Sequence, residues 1–205
     1  MSAPSTFERV YVALKQRLRS GRVRPGERLE PASLSADLNA SVTPVRDALH
    51  RLTGERLVEA PPQEGFRVPL PSETMLRYLY AWHLDVLLLA LTRRALDGDA
   101  APLAPRTQDS LDALLESLVA RSGNPEHLQA LRNVRERLSP FERLEARLLN
   151  DLDQEIRAIV AASRAEDRRA LRRCLLAYHR RRNRVVPQLL ALALRPDNNP
   201  PVPDL

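Results

Sequence analysis

A single cysteine, Cys174, stands in a chain of 205 residues. No disulfide can form within the chain, which suits a reducing cytoplasm. Cys174 lies in an apolar, basic helical run and reads as a packed side chain. Lysine is as scarce: Lys15 stands alone, and arginine carries the rest of the positive charge. Long apolar runs are missing too. The longest, LDVLLLAL at Leu84–Leu91, is too short to cross a bilayer, so no membrane partner is expected. The N-terminus lacks the apolar stretch of a signal peptide. There is no nucleophile–base constellation, no P-loop and no glycine-rich dinucleotide turn, so the chain is not read as an enzyme.

The charge that is present is positive. The formal net charge is +6 and the isoelectric point about 10.3, a balance that points to a polyanionic partner. The length admits one large or two small domains. Apolar spacing predicts a helix over Phe7–Ser20, ended by Gly21, then a Pro-Gly turn in RPGERL and a short helix over Ala32–Asn39. A third helix follows from Ser41. RLVEA and GFRVP, around the turn PPQEG, read as a two-stranded hairpin. From Thr74 to Leu96 the pattern is a long apolar helix, followed by the loop LDGDAAPLAPRTQDS. Further helices are expected near 107–121, 125–138, 140–162 and 166–194, with breaks at Ser122–Pro125 and Ser139–Pro140 and a kink at Pro187. The tail after residue 194 and residues 1–6 read as disordered.

The stretch SVTPVRDALHRL, Ser41–Leu52, carries the most chemistry. Ser41 or Thr43 can cap the helix, and Pro44 in the first turn forfeits only an N–H that would be an orphan there. Val45, Ala48, Leu49 and Leu52 form a stripe that must face a core. Thr43, Arg46, Asp47, His50 and Arg51 are left on other faces. A helix-turn-helix lays the first turns of its second helix against the major groove, where a hydroxyl and an arginine are suited to the task. The plainer reading is a solvated amphipathic helix with a good cap.

The order helix, helix, helix, wing resembles the winged-helix domain of GntR-family bacterial transcription regulators. The resemblance rests on VYVALKQRLRSGRVRPGERL, SLSADLNASVTPVRDALHRLTGERLVE and GFRVP. Its matched positions include Tyr11, Leu14, Gly21, Pro25, Gly26, Leu29, Leu34, Leu38, Pro44, Val45, Arg46, Ala48, Leu49, Leu52, Leu57, Val58, Gly65 and Val68. It implies that Arg46 contacts a base or a phosphate, helped by Ser41 and Thr43. It also implies that the wing at Gly65–Arg67 approaches the minor groove or its phosphates; for Arg67 the alternative is a solvent-facing wing residue. Arg51, further along the helix, is a candidate phosphate contact. Two departures stand out. Val42 occupies a place where many members have arginine, and Arg56 one where glycine is usual. An arginine–guanine contact carries about 1–3 kcal/mol of discrimination, so the loss at position 42 would change or weaken the DNA site.

A GntR wing joined to an all-helical segment resembles the FadR-like (FCD) group, whose effector domain is a helical bundle; SGNPEHLQAL and EIRAIVAASRAEDRRALRRCLLAYH carry that likeness. Many members hold a metal with one Asp and three His, the Asp and first His sharing a helix face. The corresponding places here are Leu111, Leu115, Ile156 and Tyr178, which are not a Zn or Ni ligand set. The resemblance therefore implies a degenerate metal site and no cofactor. A slip of one residue would offer Asp112, Glu116, Glu155 and His179, but would turn the apolar stripes of both helices outward. Polar candidates for an effector pocket are Tyr80, His83, Tyr178 and His179. The cluster HRRRNR, His179–Arg184, reads as a solvated face rather than a second DNA site, or as a surface for a partner or an acidic effector, such as an organic acid.

The expected fold is mainly α: a winged helix-turn-helix over residues 1–70, an all-helical effector-binding and dimerisation domain over 71–194, and a tail over 195–205. The expected function is a cytoplasmic, homodimeric regulator, a repressor, binding a palindromic double-stranded DNA operator under control of a small-molecule effector. The alternative is a non-catalytic ligand sensor or interaction protein with a weakened DNA-binding domain.

Overall fold

A computed structural model describes residues 5–21, 23–92 and 111–195. Ser5 caps helix α1, Thr6–Arg19, by accepting from the Glu8 N–H at 3.2 Å. Val10, Tyr11, Leu14 and Leu18 form its buried stripe. Helix α2, Pro31–Asp37, starts on a proline that needs no N–H partner and ends before Asn39, at φ 47°. Helix α3, Val42–Gly54, buries Val45, Ala48, Leu49 and Leu52. The caps at Ser5 and Pro31 and the turn at Asn39 move the first two helices one or two residues from their expected bounds.

The wing departs further from expectation. Strand β2, Phe66–Arg67, pairs antiparallel with β1, Arg28–Leu29, in the register Arg28↔Arg67 and Leu29↔Phe66. The segment expected to be only a turn thus supplies a strand. From RLVEA only Glu59 joins, in a bridge to Arg67 with both backbone bonds at 2.9 Å. The pairing sets Phe66 and Leu29 side by side in the core with α1, α2 and α3. Strands this short leave no alternating pattern to read.

The second half contains α4 (Glu73–Thr92), α5 (Leu111–Ala120), α6 (Pro125–Leu148), α7 (Leu152–Arg164) and α8 (Arg168–Ala193). The expected break at Ser139–Pro140 does not occur: α6 runs through it. Pro140 cannot donate to the Glu136 carbonyl, and the Ser139 hydroxyl donates to that oxygen instead, at 3.0 Å. The chain turns later, at Leu149–Asp151, where Asp151 has φ 57°. α8 likewise continues through Pro187. The Asn183 carbonyl that Pro187 leaves without an N–H takes a 2.9 Å bond from Arg77 of α4. In both helices a side chain repairs the ladder, so the proline does not end the helix. The loop expected at 96–110, the part of its flanking helices beyond Thr92 and before Leu111, residues 1–4 and the tail from 196 lie outside the described residues.

α4, α6 and α8 pack together along most of their length, with α5 and α7 against them. Their core has two apolar clusters. One gathers Val86, Leu87, Leu115, Leu131, Ile159 and Leu175; the other gathers Leu76, Leu79, Val134, Phe141, Val186 and Leu189. His83 on α4 and His179 and Arg182 on α8 fall between them in sequence and are themselves buried.

The halves meet where α6 lies on α1. Lys15 bridges Glu55 at 2.9 Å and Glu136 of α6 at 2.8 Å, and Tyr11 donates to Glu55 at 2.6 Å. Asn133 of α6 donates to the Glu55 carbonyl at 2.9 Å. Burial opposes the charge on Lys15, but bonds to Glu136, Tyr11 and Glu55 outweigh it and raise the Lys15 pKa. Gly21, at φ 65°, sits so close to Pro140 that a Cβ would lie 3.2 Å from its carbonyl oxygen. No helix among the described residues is long and apolar enough to cross a membrane.

Candidate functional site

The exposed face of α3 begins at its N-terminus. Ser41 is the N-cap residue, yet its hydroxyl makes no capping bond and neither Ser41 nor Thr43 is buried. The first turn therefore presents two free hydroxyls beside unpaired backbone N–H groups, an arrangement that favours phosphate. Arg46 projects from the same end, exposed and without an ion pair among the described residues. The stripe behind it is immobilised: Val45, Ala48, Leu49 and Leu52 are each 0% exposed. Arg9 of α1 fixes the turn ahead of the helix by donating to the carbonyls of Leu38 and Asn39 at 2.7 and 3.0 Å. Val42 stands in this face, 37% exposed.

Arg51 is placed differently from Arg46. Its guanidinium lies 4.1 Å from the centroid of the Tyr11 ring, with Glu55 at 3.4 Å and Glu8 at 3.9 Å, so it seals α3 to α1. Gly65 has φ 76°, a conformation that glycine adopts without strain, and turns the wing tip. Arg67 is held between Glu59 at 3.0 Å and Glu64 at 2.9 Å. His50 meets Phe66 edge-on, with centroids 4.9 Å apart, and ties α3 to the wing. Its place on α3 gave no sign of that role, because the contact spans distant sequence.

In the helical half the four polar candidates come together. His83 Nδ1 and His179 Nε2 are 3.0 Å apart, and Tyr178 packs on His179 with centroids 5.0 Å apart. His179 Nδ1 lies 2.7 Å from the Leu175 carbonyl, which can only accept, so Nδ1 carries the hydrogen and Nε2 is an acceptor. His83 Nδ1 must then donate to it, which leaves the buried His83 Nε2 as a lone-pair acceptor with no partner among the described residues. His83, Tyr80 and Tyr178 line a cavity of about 20 Å³ together with Leu111, Leu115 and Glu145, room for about one water. Burial lowers the His179 pKa to about 4, and the Arg182 charge acts in the same direction. Burial and the neighbouring His179, Arg135 and Arg182 hold His83 well below its ordinary value. Both imidazoles are neutral near pH 7.

Two further residues complete this layer. Arg182, 4% exposed, donates to Glu145 and to Glu155, each at 2.8 Å, and lies 3.2 Å from the Tyr178 ring centroid. Tyr80 donates to the other Glu145 oxygen at 2.5 Å. Burial raises the Glu145 pKa, against the opposing charge of Arg182. The expectation of a solvated HRRRNR face is corrected here: His179 and Arg182 turn into the core, while Arg180 and Arg184 face out. Arg182 follows Tyr178 by one helical turn, and that spacing was the available signal. Glu145, in an otherwise charged run, offered none.

Leu111, Leu115 and Tyr178, three of the four places where the FCD group holds its metal, do line the small cavity. Two leucines, a tyrosine and Ile156 do not make a metal site. The alternative set is committed elsewhere: Asp112 pairs with Arg135, Glu116 with Arg132, Glu155 with Arg181 and Arg182, and His179 with His83. Among the described residues no three His, Cys, Asp or Glu side chains gather into a site for a metal ion.

Residues 6–68 match the family of bacterial regulatory proteins of the gntR type. The HTH-type transcriptional regulator McbR of Escherichia coli (strain K12) is 32% identical over 107 residues, 51% of this chain; the chain thus spans about half, 45%, of the length of that relative. Among solved structures, E. coli McbR/YncC aligns with a TM-score of 0.65 at 23% identity, covering 91% of this chain and 99% of that one. A transcriptional regulator GntR from Rhodococcus sp. RHA1 aligns with a TM-score of 0.74 at 19% identity, covering 90% and 99%. At these identities the likeness is one of fold, and it extends over the wing and the helical half.

Proposed function

Residues 6–68 are a GntR-family winged helix-turn-helix domain, and from that premise we propose that the chain is a non-catalytic, sequence-specific regulator of transcription, a repressor of the FadR-like group. The observation that carries this reading is the α3 face: free hydroxyls and an unpaired Arg46 backed by a stripe with no exposure. Ser41, Thr43 and Arg46 read the major groove. Gly65 sets the wing beside the backbone, with Arg67 released from its carboxylates on contact with phosphate. Arg51 acts through the helix seam.

Support for pairing comes from the outer face of α4. Tyr78, Trp82 and Leu89, spaced along one side of the helix, are 71%, 49% and 40% exposed. Such a stripe needs a cover, and a second copy would place two wings about a two-fold axis, suited to a palindromic operator. The effector reading rests on the unpaired His83 Nε2 beside Tyr80 and Tyr178. The cavity has room for about one water, so a small polar effector, such as an organic acid in its protonated form, would enter by parting α5 from α4 and α8. α6 carries Glu145 of that polar layer and, nine residues earlier, Glu136 of the Lys15 bridge. A shift of α6 would therefore reach the wing half.

The test is titration of the full-length protein onto the duplex upstream of its own gene and onto a shuffled duplex. A regulator binds the first more tightly, as two chains per site, and loses affinity at least about tenfold between about 50 and about 200 mM salt. Trp82→Glu should reduce the stoichiometry to one. Equal binding of both duplexes across that range would refute the reading. The exposed Val42, where many relatives have arginine, favours the second reading, a sensor with a weakened wing, which predicts equal binding.

A further inference from the structure

A crevice of about 870 Å³ lies between the winged and the helical halves, within the size range of sites for small organic ligands. Leu18, Val23, Leu57 and Val68 form one wall, and Leu79 and Phe141 the other. Six arginines line it, Arg24, Arg56, Arg137, Arg143, Arg147 and Arg195, and two of them come from opposite halves: Arg56, just after α3, and Arg137 of α6. Neither Arg56 nor Arg137 has an ion pair among the described residues. The acids on the crevice wall are spoken for, since Glu59 is held by Arg67 and Glu136 by Lys15. Burial lowers the Arg137 pKa, and the Arg56 charge lowers it further. The crevice thus pairs apolar walls with a cationic lining, in which Arg56 and Arg137 repel each other.

Arg56 is also out of place conformationally. Its φ is 61°, in the left-handed region where glycine is at ease and a long side chain is strained. That strain does not secure packing, because the Arg56 side chain is exposed. An anion between Arg56 and Arg137 would relieve their repulsion, and guanidinium forks suit a carboxylate.

We propose that this crevice binds an organic carboxylate with an apolar body, its headgroup held between Arg56 and Arg137. The ligand would bridge the two halves and fix the wing against α6. The site is separate from the cavity at His83, and its existence does not depend on the regulatory reading.

Isothermal titration of the full-length protein with decanoate, and with decan-1-ol as the uncharged counterpart, tests the site below their aggregation limits. One decanoate should bind per chain, and decanol at least about tenfold more weakly. Arg56→Gly and Arg137→Gln should each weaken decanoate by about tenfold or more. Arg56→Gly should nevertheless melt at or above the wild-type temperature, since it removes left-handed strain. Arg172→Gln, the same loss of charge on the exposed side of α8, should leave binding unchanged. Absence of decanoate binding, equal affinity for decanol, or unchanged affinity in both crevice variants would overturn the proposal.

Discussion

Between residues 5 and 70 the buried side chains are apolar apart from the edge of Tyr11, whereas all seven buried polar or charged side chains of the described residues lie between Ser122, Ser139, Ser163 and the layer His83, Glu145, His179 and Arg182. The two halves therefore resist change in different ways. The wing half has one close-packed cluster, and a core of that kind holds one arrangement or unfolds. It suits a rigid presentation of α3. The helical half places a hydrogen-bonded ionic layer between two oily clusters. Such a layer stabilises little compared with well-packed apolar residues, and it fails sharply when one member is removed. It ends on an acceptor, His83 Nε2, that has no partner among the described residues. Buried titratable groups with shifted pKa values beside a cavity mark a candidate ligand site.

The contrast can be broken most severely at Arg182. Arg182→Met leaves Glu145 buried without its cation, and Glu155 with Arg181 alone, and should cost about 3–5 kcal/mol. Thermal unfolding followed at Trp82, the single tryptophan, should report the loss in the helical half, while the wing half keeps its helix content to a higher temperature. A single unchanged transition would mean that the layer is not a structural weak point.

Acid should sharpen the same contrast. The His179 pKa is about 4 when folded and about 6.5 in an unfolded chain. Below pH 6.5 the unfolded state therefore takes up a proton that the folded state refuses. Stability falls as pH drops from about 6.5 to about 4, by up to about 1.4 kcal/mol per pH unit for each such imidazole, and levels off below. His83 acts in the same direction. The raised pKa of Glu145 acts in the opposite one, so the comparison is between wild type and the double variant His83→Gln, His179→Gln. Urea midpoints at pH 7 and pH 5 should differ more in the wild type. Equal differences would show that these imidazoles are not held neutral by the fold.

Much of the wing half was legible because its signals are local. The proline before Val45 and the apolar stripe through Leu52 specify α3 from neighbouring residues alone. The pocket side chains were legible as types: Tyr80 and His83 share one helix and Tyr178 and His179 another, and packing α4 on α8 joined them. Most of the failures involve partners far apart in sequence. Pro187 read as a kink because the Arg77 guanidinium that takes up the Asn183 carbonyl comes from another helix, while Pro140 read as a break although the Ser139 hydroxyl beside it serves the Glu136 carbonyl locally. β1 was hidden because a two-residue strand has no period. Arg182 read as solvated because its carboxylate partners come from α6 and α7.

Specific DNA binding rests most directly on Arg46, the exposed cation that the rigid half offers without an ion pair among the described residues. Fluorescence anisotropy of the full-length protein on its upstream duplex, wild type against Arg46→Ala, measures that offer. Loss of about 1–3 kcal/mol of binding, with preference over shuffled DNA reduced and the melting temperature unchanged, is the predicted result. Undiminished affinity and preference in Arg46→Ala would contradict it.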